Sequence, residues 1–191
     1  LISIFKPLPP VGAKGVQSEA AGLESFISQL DEHAELLLGI HEADRATTAP
    51  FVEQMRQHYP HARIKVIYRS ESSTMANPKI AWQRILAPHA EGELWLWSDA
   101  EIVAPPGFLR SARHDYEQSG AAMVTFPYVV QEIPAPPALL DALFINVDLY
   151  PGVLLLRRQG PVDFGLGAAM LFSRSEFARR VDWRKLGSSL A

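Results

Sequence analysis

Two carboxylates one residue apart, Asp99 and Glu101, follow directly on Leu94 to Trp97, a run of four apolar residues that includes two tryptophans. Alternate side chains of an extended segment share a face, so this spacing aims both acids the same way past the small Ala100. Like charges held that close repel unless a cation or its water shell lies between them. Mg2+ or Mn2+, which take hard oxygen ligands and few protein groups at a time, suit such a pair. The competing expectation is a solvated turn or a helix-entry cap, because turns favour Asp.

Lys79 is the second residue with chemical promise. Asn77 can cap a helix that has Pro78 in its first turn, which puts Lys79 where a helix start prefers negative charge. An anion bound there reverses the penalty, since free amides and a lysine together make a phosphate-binding arrangement. The alternative is a lysine whose stem lies on the surface and whose head reaches water. Asp44, in "GIHEAD", can accept hydrogen bonds from a nucleoside or serve as a loop residue. The six histidines show no ligand-like spacing and are expected at the surface.

Several chemistries are excluded. Without cysteine there are no disulfides, zinc thiolates or thiol nucleophiles. "GLGAAM" from Gly165 lacks the third glycine and the preceding strand of a dinucleotide fingerprint, and "GAKG" at Gly12 is no Walker loop. No G-x-S-x-G is present to start serine hydrolase chemistry. A net charge of −3 leaves no electrostatic footprint for nucleic acid. At 191 residues, with 48% apolar and 20% charged residues, a single globular domain over 1–191 is expected.

The elements that must position these groups alternate between strand and helix patterns. That predicts an α/β fold, with a mostly parallel sheet and helices on both faces. Strands are expected at Leu1 to Phe5, Leu36 to Ile40, Ile64 to Tyr68, Leu94 to Trp97, Ala121 to Phe126 and Ala168 to Phe172. Pro50 suits the first turn of a helix carrying Phe51, Val52, Met55 and Tyr59, and Gly120 closes one carrying Phe108, Leu109, Ala112 and Tyr116. Ser173 and Glu176 form an S-x-x-E capping box with Phe172 and Phe177 as its staple. Pro-rich Ile133 to Pro137 is expected to be a connector. In open α/β sheets ligands gather beyond the carboxyl ends of strands, which singles out Lys6 and Pro7, His41 to Asp44, Arg69 to Lys79, Ser98 to Glu101 and Phe126 onward.

Five stretches, "ISIFKPLPP", "NPKIAWQ", "LWLWSDAEIVAPPGFL", "ALFINVDLYPGVLLLRR" and "FGLGAAMLFSRSEF", occur in this order. In that succession the chain resembles the ceramide glucosyltransferase-like proteins of glycosyltransferase family 21, including the bacterial hopanoid-biosynthesis enzymes. The resemblance implies a GT-A fold and inverting transfer of a sugar from a UDP-linked donor to a lipid acceptor. It implies that Asp99 and Glu101 stand at the D-x-D that holds Mn2+ or Mg2+, with Glu in place of the second Asp. Asp44 then matches the acid that meets the nucleoside, and Lys6, Pro7, Asn77 and Lys79 lie with Asp99 at the donor. The catalytic base belongs, in the family, to an Asp-Asp stretch followed by Q-x-x-R-W; neither occurs here, so the base is expected beyond Ala191. The full-length protein is expected to be membrane-associated with its catalytic domain cytoplasmic. A non-catalytic module that binds a nucleotide-sugar, and a nucleotidyltransferase that releases pyrophosphate, are the rival expectations.

Leu139 to Arg158 is a separate case. Leu139, Leu140, Leu143, Phe144 and Val147 make a broad apolar helix face, broken by Pro151 before Leu154, Leu155, Leu156 and the Arg157-Arg158 pair. The segment is too polar to be expected to cross a bilayer. It suits either a membrane interface, with the arginines near headgroups, or packing in the core.

Overall fold

The computed structural model describes residues 1–12, 15–70, 75–131, 137–160 and 162–188. Strands β1 (Ile2–Pro7), β2 (Ala34–His41), β3 (Ile64–Arg69), β4 (Leu94–Ser98), β5 (Met123–Thr125) and β6 (Ala169–Ser173) form one sheet in the order β3-β2-β1-β4-β6-β5. The first four in space are parallel; β6 runs antiparallel to β4 and to β5. A mostly parallel α/β sheet is therefore present as expected. The reversal at β6 is new: Trp97 stands opposite Met170, and Thr125 opposite Met170 from the other side.

Strand alternation sorts the core into two layers. Ile2, Ile4, Leu36, Leu38 and Leu96 point to one face, where they meet α1 (Ala20–Ile27), α2 (Arg45–His58) and α4 (Phe108–Ser119) through Leu23, Phe26, Val52, Met55, Leu109 and Ala112. Phe5, Leu37, Trp95 and Trp97 point to the other, against Ile80 and Leu86 of α3 (Pro78–Leu86) and Phe177 of α7 (Arg174–Arg180). Trp183 of α8 (Trp183–Ser188) stacks on Trp97 with ring centres 5.9 Å apart. Because successive side chains in a strand take opposite faces, each tryptophan in "LWLW" falls in this aromatic layer and each leucine in the aliphatic one.

Local signals fix several boundaries. Asn77 Oδ1 accepts from the amides of Lys79 and Ile80, at 3.0 and 3.2 Å, and so starts α3 where expected. Ser173 Oγ accepts from the Glu176 amide at 3.2 Å, and the Phe172 and Phe177 rings stack at 5.2 Å. Glu176 itself turns to Arg179 and Arg180. Gly120 ends α4 at φ +61°, a left-handed backbone that glycine adopts without strain.

Other expectations need correction. Helix α2 begins at Arg45, not Pro50, which lies inside it. The Thr47 and Thr48 hydroxyls donate back to the Asp44 carbonyl within this first turn, at 3.0 and 2.8 Å. Pro50 is exposed, so the carbonyl it leaves unpaired faces water. Strand β1 runs through Lys6 and Pro7 instead of stopping at Phe5, placing both inside the sheet opposite Leu38 and Gly39. The connector expected over Ile133 to Pro137 lies, but for Pro137, outside the described residues.

Pro151 does not break its helix. Residues 137–159 form one continuous helical run, α5 (Pro137–Leu143), a π-helical stretch (Phe144–Leu149) and α6 (Tyr150–Gln159). The wider π turns precede Pro151 and take up its missing amide. By length and composition Ala138–Gln159 is apolar enough to cross a membrane, correcting the expectation that it is too polar. Core packing is excluded: Ala142 and Val153 are buried, while Leu140, Val147 and Leu155 are 73%, 69% and 60% exposed. Asn146 holds the run against the domain by pairing both sides of its amide with the Val130 backbone at 2.8 Å.

At the amino end of the sheet a buried carboxylate ties three strands. Glu35 accepts from the Ser3 hydroxyl at 2.6 Å and the Glu91 amide at 2.7 Å, and pairs with Lys65 at 2.8 Å. Burial alone raises its carboxyl; Lys65, Ser3 and the Glu91 amide together hold it below the usual 4.5. Such a depressed acid contributes stability that is full above the unfolded-state value of about 4.3 and drains away as pH falls through the lower folded value. Lys65→Met leaves that charge uncompensated and is expected to cost about 3 kcal/mol at pH 7 by urea denaturation. The deficit is expected to shrink in acid, as Glu35 in the variant takes a proton.

Candidate functional site

The carboxyl ends of β1 and β4, the start of α3 and the segment entering β6 meet at one rim of the sheet. Beyond Ser98 the chain does not stay extended. The Ile102 amide donates to the Asp99 carbonyl at 3.3 Å, closing a turn over Asp99 to Ile102. Asp99 and Glu101 are therefore first and third residues of a turn, and the shared-face geometry of a strand does not apply to them. The Asp99 amide still extends the sheet by donating to Ala168 at 3.0 Å.

The Asp99 carboxylate forms an ion pair with the Lys79 ammonium. Lys79 also donates to the Gly167 carbonyl at 2.7 Å, so it joins α3, β4 and the β6 approach. Both partners are partly exposed, 33% and 29% at the side chain. The group that neutralises the acid at this position is an ammonium. The "GLGAAM" stretch, which fails as a dinucleotide motif, supplies the carbonyl that orients Lys79.

Lys6 occupies a place the sequence does not predict. It is fully buried, with its ammonium 4.0 Å over the Phe26 ring. It donates to the carbonyls of Asp99, at 2.5 Å, and Ile102, at 3.2 Å. Burial pulls its pKa down from 10.5 to about 7, against the raising effect of Glu101 and Asp99, with Lys79 lowering it further. The ammonium lies beneath the turn and donates to these two carbonyls. Pro7 ends β1 beside Gly39, a strand-end position that needs no amide from proline.

Asp44 is likewise drawn inward. Its two oxygens accept from the amides of Val11 and Gly12 at 3.1 and 3.0 Å, which pins the loop after β1. The residue thus shapes that loop through both oxygens. Asn77 spends its side-chain oxygen on the first turn of α3. The rim thus gathers Lys6, Asn77, Lys79 and Asp99, with Glu101 on the same turn, while Pro7 ends β1 and Asp44, after β2, holds the loop that follows β1.

Sequence reasoning missed Gly22 in α1. An added Cβ there would stand 2.2 Å from the Ala100 carbonyl oxygen and 3.1 Å from that of Ile102. The available signal was a glycine in a helix interior, which costs about 1 kcal/mol against alanine and asks for a packing reason. His41 is also not a plain surface residue, since the Trp82 indole donates to its Nε2 at 3.3 Å.

The side chains at the turn are of the hard oxygen type that a divalent cation takes. Two hard carboxylates lie on four residues, and one already holds a positive group. Among the described residues no cluster of three or more metal-binding side chains occurs. Mg2+ and Mn2+ accept such a sparse protein contribution when substrate phosphates and water complete the shell.

The fold has solved counterparts. The mannosyltransferase PcManGT from Pyrobaculum calidifontis, in complex with GDP-Man and Mn2+, superposes with a TM-score of 0.62 at 15% identity, over 93% of this chain and 46% of that one. TarS 1–349 from S. aureus gives 0.54 at 17% identity, over 71% and 38%. Its complex with UDP-GlcNAc gives 0.52. The chain spans less than half the length of these structures. No curated protein matches it in sequence. The model of "Glycosyl transferase family 21" matches residues 1–191. With that match over the whole chain, on a sheet of GT-A type, the protein belongs to glycosyl transferase family 21.

Proposed function

We propose that the protein transfers a sugar from a UDP-linked donor to a lipid hydroxyl with inversion, as an enzyme of the ceramide glucosyltransferase-like type. The observation that carries this reading is the meeting of Asp99, Lys79 and the first turn of α3 beyond the carboxyl ends of parallel strands. Neighbours of the same fold bind UDP-GlcNAc or GDP-Man. That supports a nucleotide-sugar at this rim.

Asp99 and Glu101 would hold Mn2+ or Mg2+, which supplies positive charge to the departing diphosphate. Lys79 is placed to share that work. A helix start with its unpaired amides and an adjacent ammonium stabilises negative charge as the sugar–phosphate bond breaks. Asn77 keeps the helix start in position, and Asp44 keeps the β1 loop closed beside it. Incubating the protein with radiolabelled UDP-sugars, Mn2+ and a membrane lipid extract tests the proposal. Label appearing in the lipid phase supports it. Donor binding without turnover, under every donor tried, would instead favour the non-catalytic module, a reading that the occupied Asp99 and the Glu at 101 support.

The helical run 137–159 is proposed as the contact with a membrane surface. Leu140, Leu143, Phe144 and Val147 fall at i, i+3, i+4 and i+7 and are exposed, with Arg157 and Arg158 at the end of the run. Asn146 ties the run to Val130, and Ala142 and Val153 are buried, which suits the interface plane better than a crossing. Leu140→Glu with Val147→Glu is expected to weaken flotation with anionic vesicles more than tenfold, since each apolar side chain withdrawn from water contributes about 1.5 kcal/mol or more. Circular dichroism is expected to be unchanged, both residues being on the outside.

A further inference from the structure

We propose that Lys6, working with the inner stripe of α1, is a positioning residue that sets where the Asp99–Glu101 turn presents its carboxylates. It thereby tunes the affinity of the site for a divalent cation. The inference rests on the metal reading given above and assigns a role to residues that reading does not use.

The geometry is specific to the turn. One ammonium spans it, bonded to the carbonyls of its first residue, Asp99, and its last, Ile102. Burying an ammonium group is expensive even after relaxation, and a methionine or leucine would fill the same space without that penalty. The charge is therefore matched to the carbonyls it bridges. Gly22 lets α1 approach until no Cβ could intervene before the Ala100 carbonyl. Further along α1, Ser25 Oγ accepts from the Ala104 amide at 2.9 Å while donating to Gly22 at 2.7 Å, and Gln29, just past the end of the helix, donates to the Pro105 carbonyl at 3.1 Å. Gly22 and Ser25, at i and i+3, share a helix face, and with Gln29 beyond it this side of α1 tracks the backbone from Ala100 to Pro105. The turn is gripped from beneath by Lys6 and from the side by α1. Its carboxylates keep one orientation only while both grips hold.

Groups that orient metal ligands from behind typically change metal affinity by about 10- to 100-fold when removed. Lys6→Met is expected to weaken Mn2+ binding, read by electron paramagnetic resonance of free Mn2+, by about that factor. UDP binding in EDTA is expected to stay unchanged. A lysine that acted only through its charge would give the opposite sign, because removing a nearby ammonium tightens cation binding. Gly22→Ala moves the turn without altering charge, and is expected to weaken Mn2+ in the same direction. If Lys6→Met does not fold, this variant decides the matter. Wild-type or tighter Mn2+ binding in either folded variant overturns the inference while leaving the metal reading intact. A wild-type protein that binds no Mn2+ overturns both.

Discussion

Asp99→Asn is expected to lose about a hundredfold or more of Mn2+-dependent UDP affinity in titration calorimetry, close to 2.7 kcal/mol. The substitution keeps the shape of the side chain and removes its charge. A metal site with two protein carboxylates then keeps only Glu101, whose longer arm cannot replace a ligand lost from the same turn. The fold is expected to survive, because what holds residue 99 in place is main chain. Its amide bonds to Ala168, and its carbonyl accepts from Lys6 and Ile102. The partly exposed pair with Lys79 adds little stability of its own, within about 1 kcal/mol. Mn2+-dependent UDP binding at wild-type strength in this variant would remove Asp99 from the site.

Lys79→Met is expected to move two affinities in opposite directions. The ammonium sits on Asp99, so a cation entering there must displace it. Without Lys79 that competition is gone, and Mn2+ alone is expected to bind several-fold more tightly. A diphosphate, by contrast, loses a charge-assisted hydrogen bond of about 1.5 to 3 kcal/mol, and UDP affinity in the presence of Mn2+ is expected to fall at least tenfold. A lysine serving only to stabilise the fold would lower both together. Parallel changes in the two affinities would therefore refute the exchange of Lys79 between Asp99 and the diphosphate.

Where local chemistry decides an element, the sequence was enough. Asn77 with Pro78, Ser173 ahead of Glu176, and Gly120 each satisfy or end a helix by groups within a few residues, and each stands where it was expected. The unbroken apolar run "LWLW" correctly implied a buried strand. What could not be read depended on partners far along the chain. Lys6 is inside the sheet because carbonyls 93 and 96 residues away receive its protons. The direction of β6 follows from its neighbours β4 and β5, not from its own five residues. Residues 137–159 resisted assignment because a broad apolar face suits a core and a bilayer equally until exposure is known.

At the site the residue types were legible and their geometry was not. Asp99, Lys79 and Asn77 do assemble at one rim, as their places after strands suggested. Asp44 and Lys6 carry the same kinds of groups but turn them toward main chain, a distinction set by burial. An isolated sequence cannot tell a lysine that meets a phosphate from one that braces a peptide carbonyl.

The excursion between β5 and β6 begins and ends at residues paired across the same ladder, Thr125 with Met170, and the Phe126 amide still bonds to Ala169. Such a segment is a closed loop grafted onto a finished scaffold, and the entropy of closing it rises only with the logarithm of its length. A change of length within it therefore costs little, provided that its last residues, Gly167 and Ala168, keep the carbonyls that bond Lys79 and the Asp99 amide.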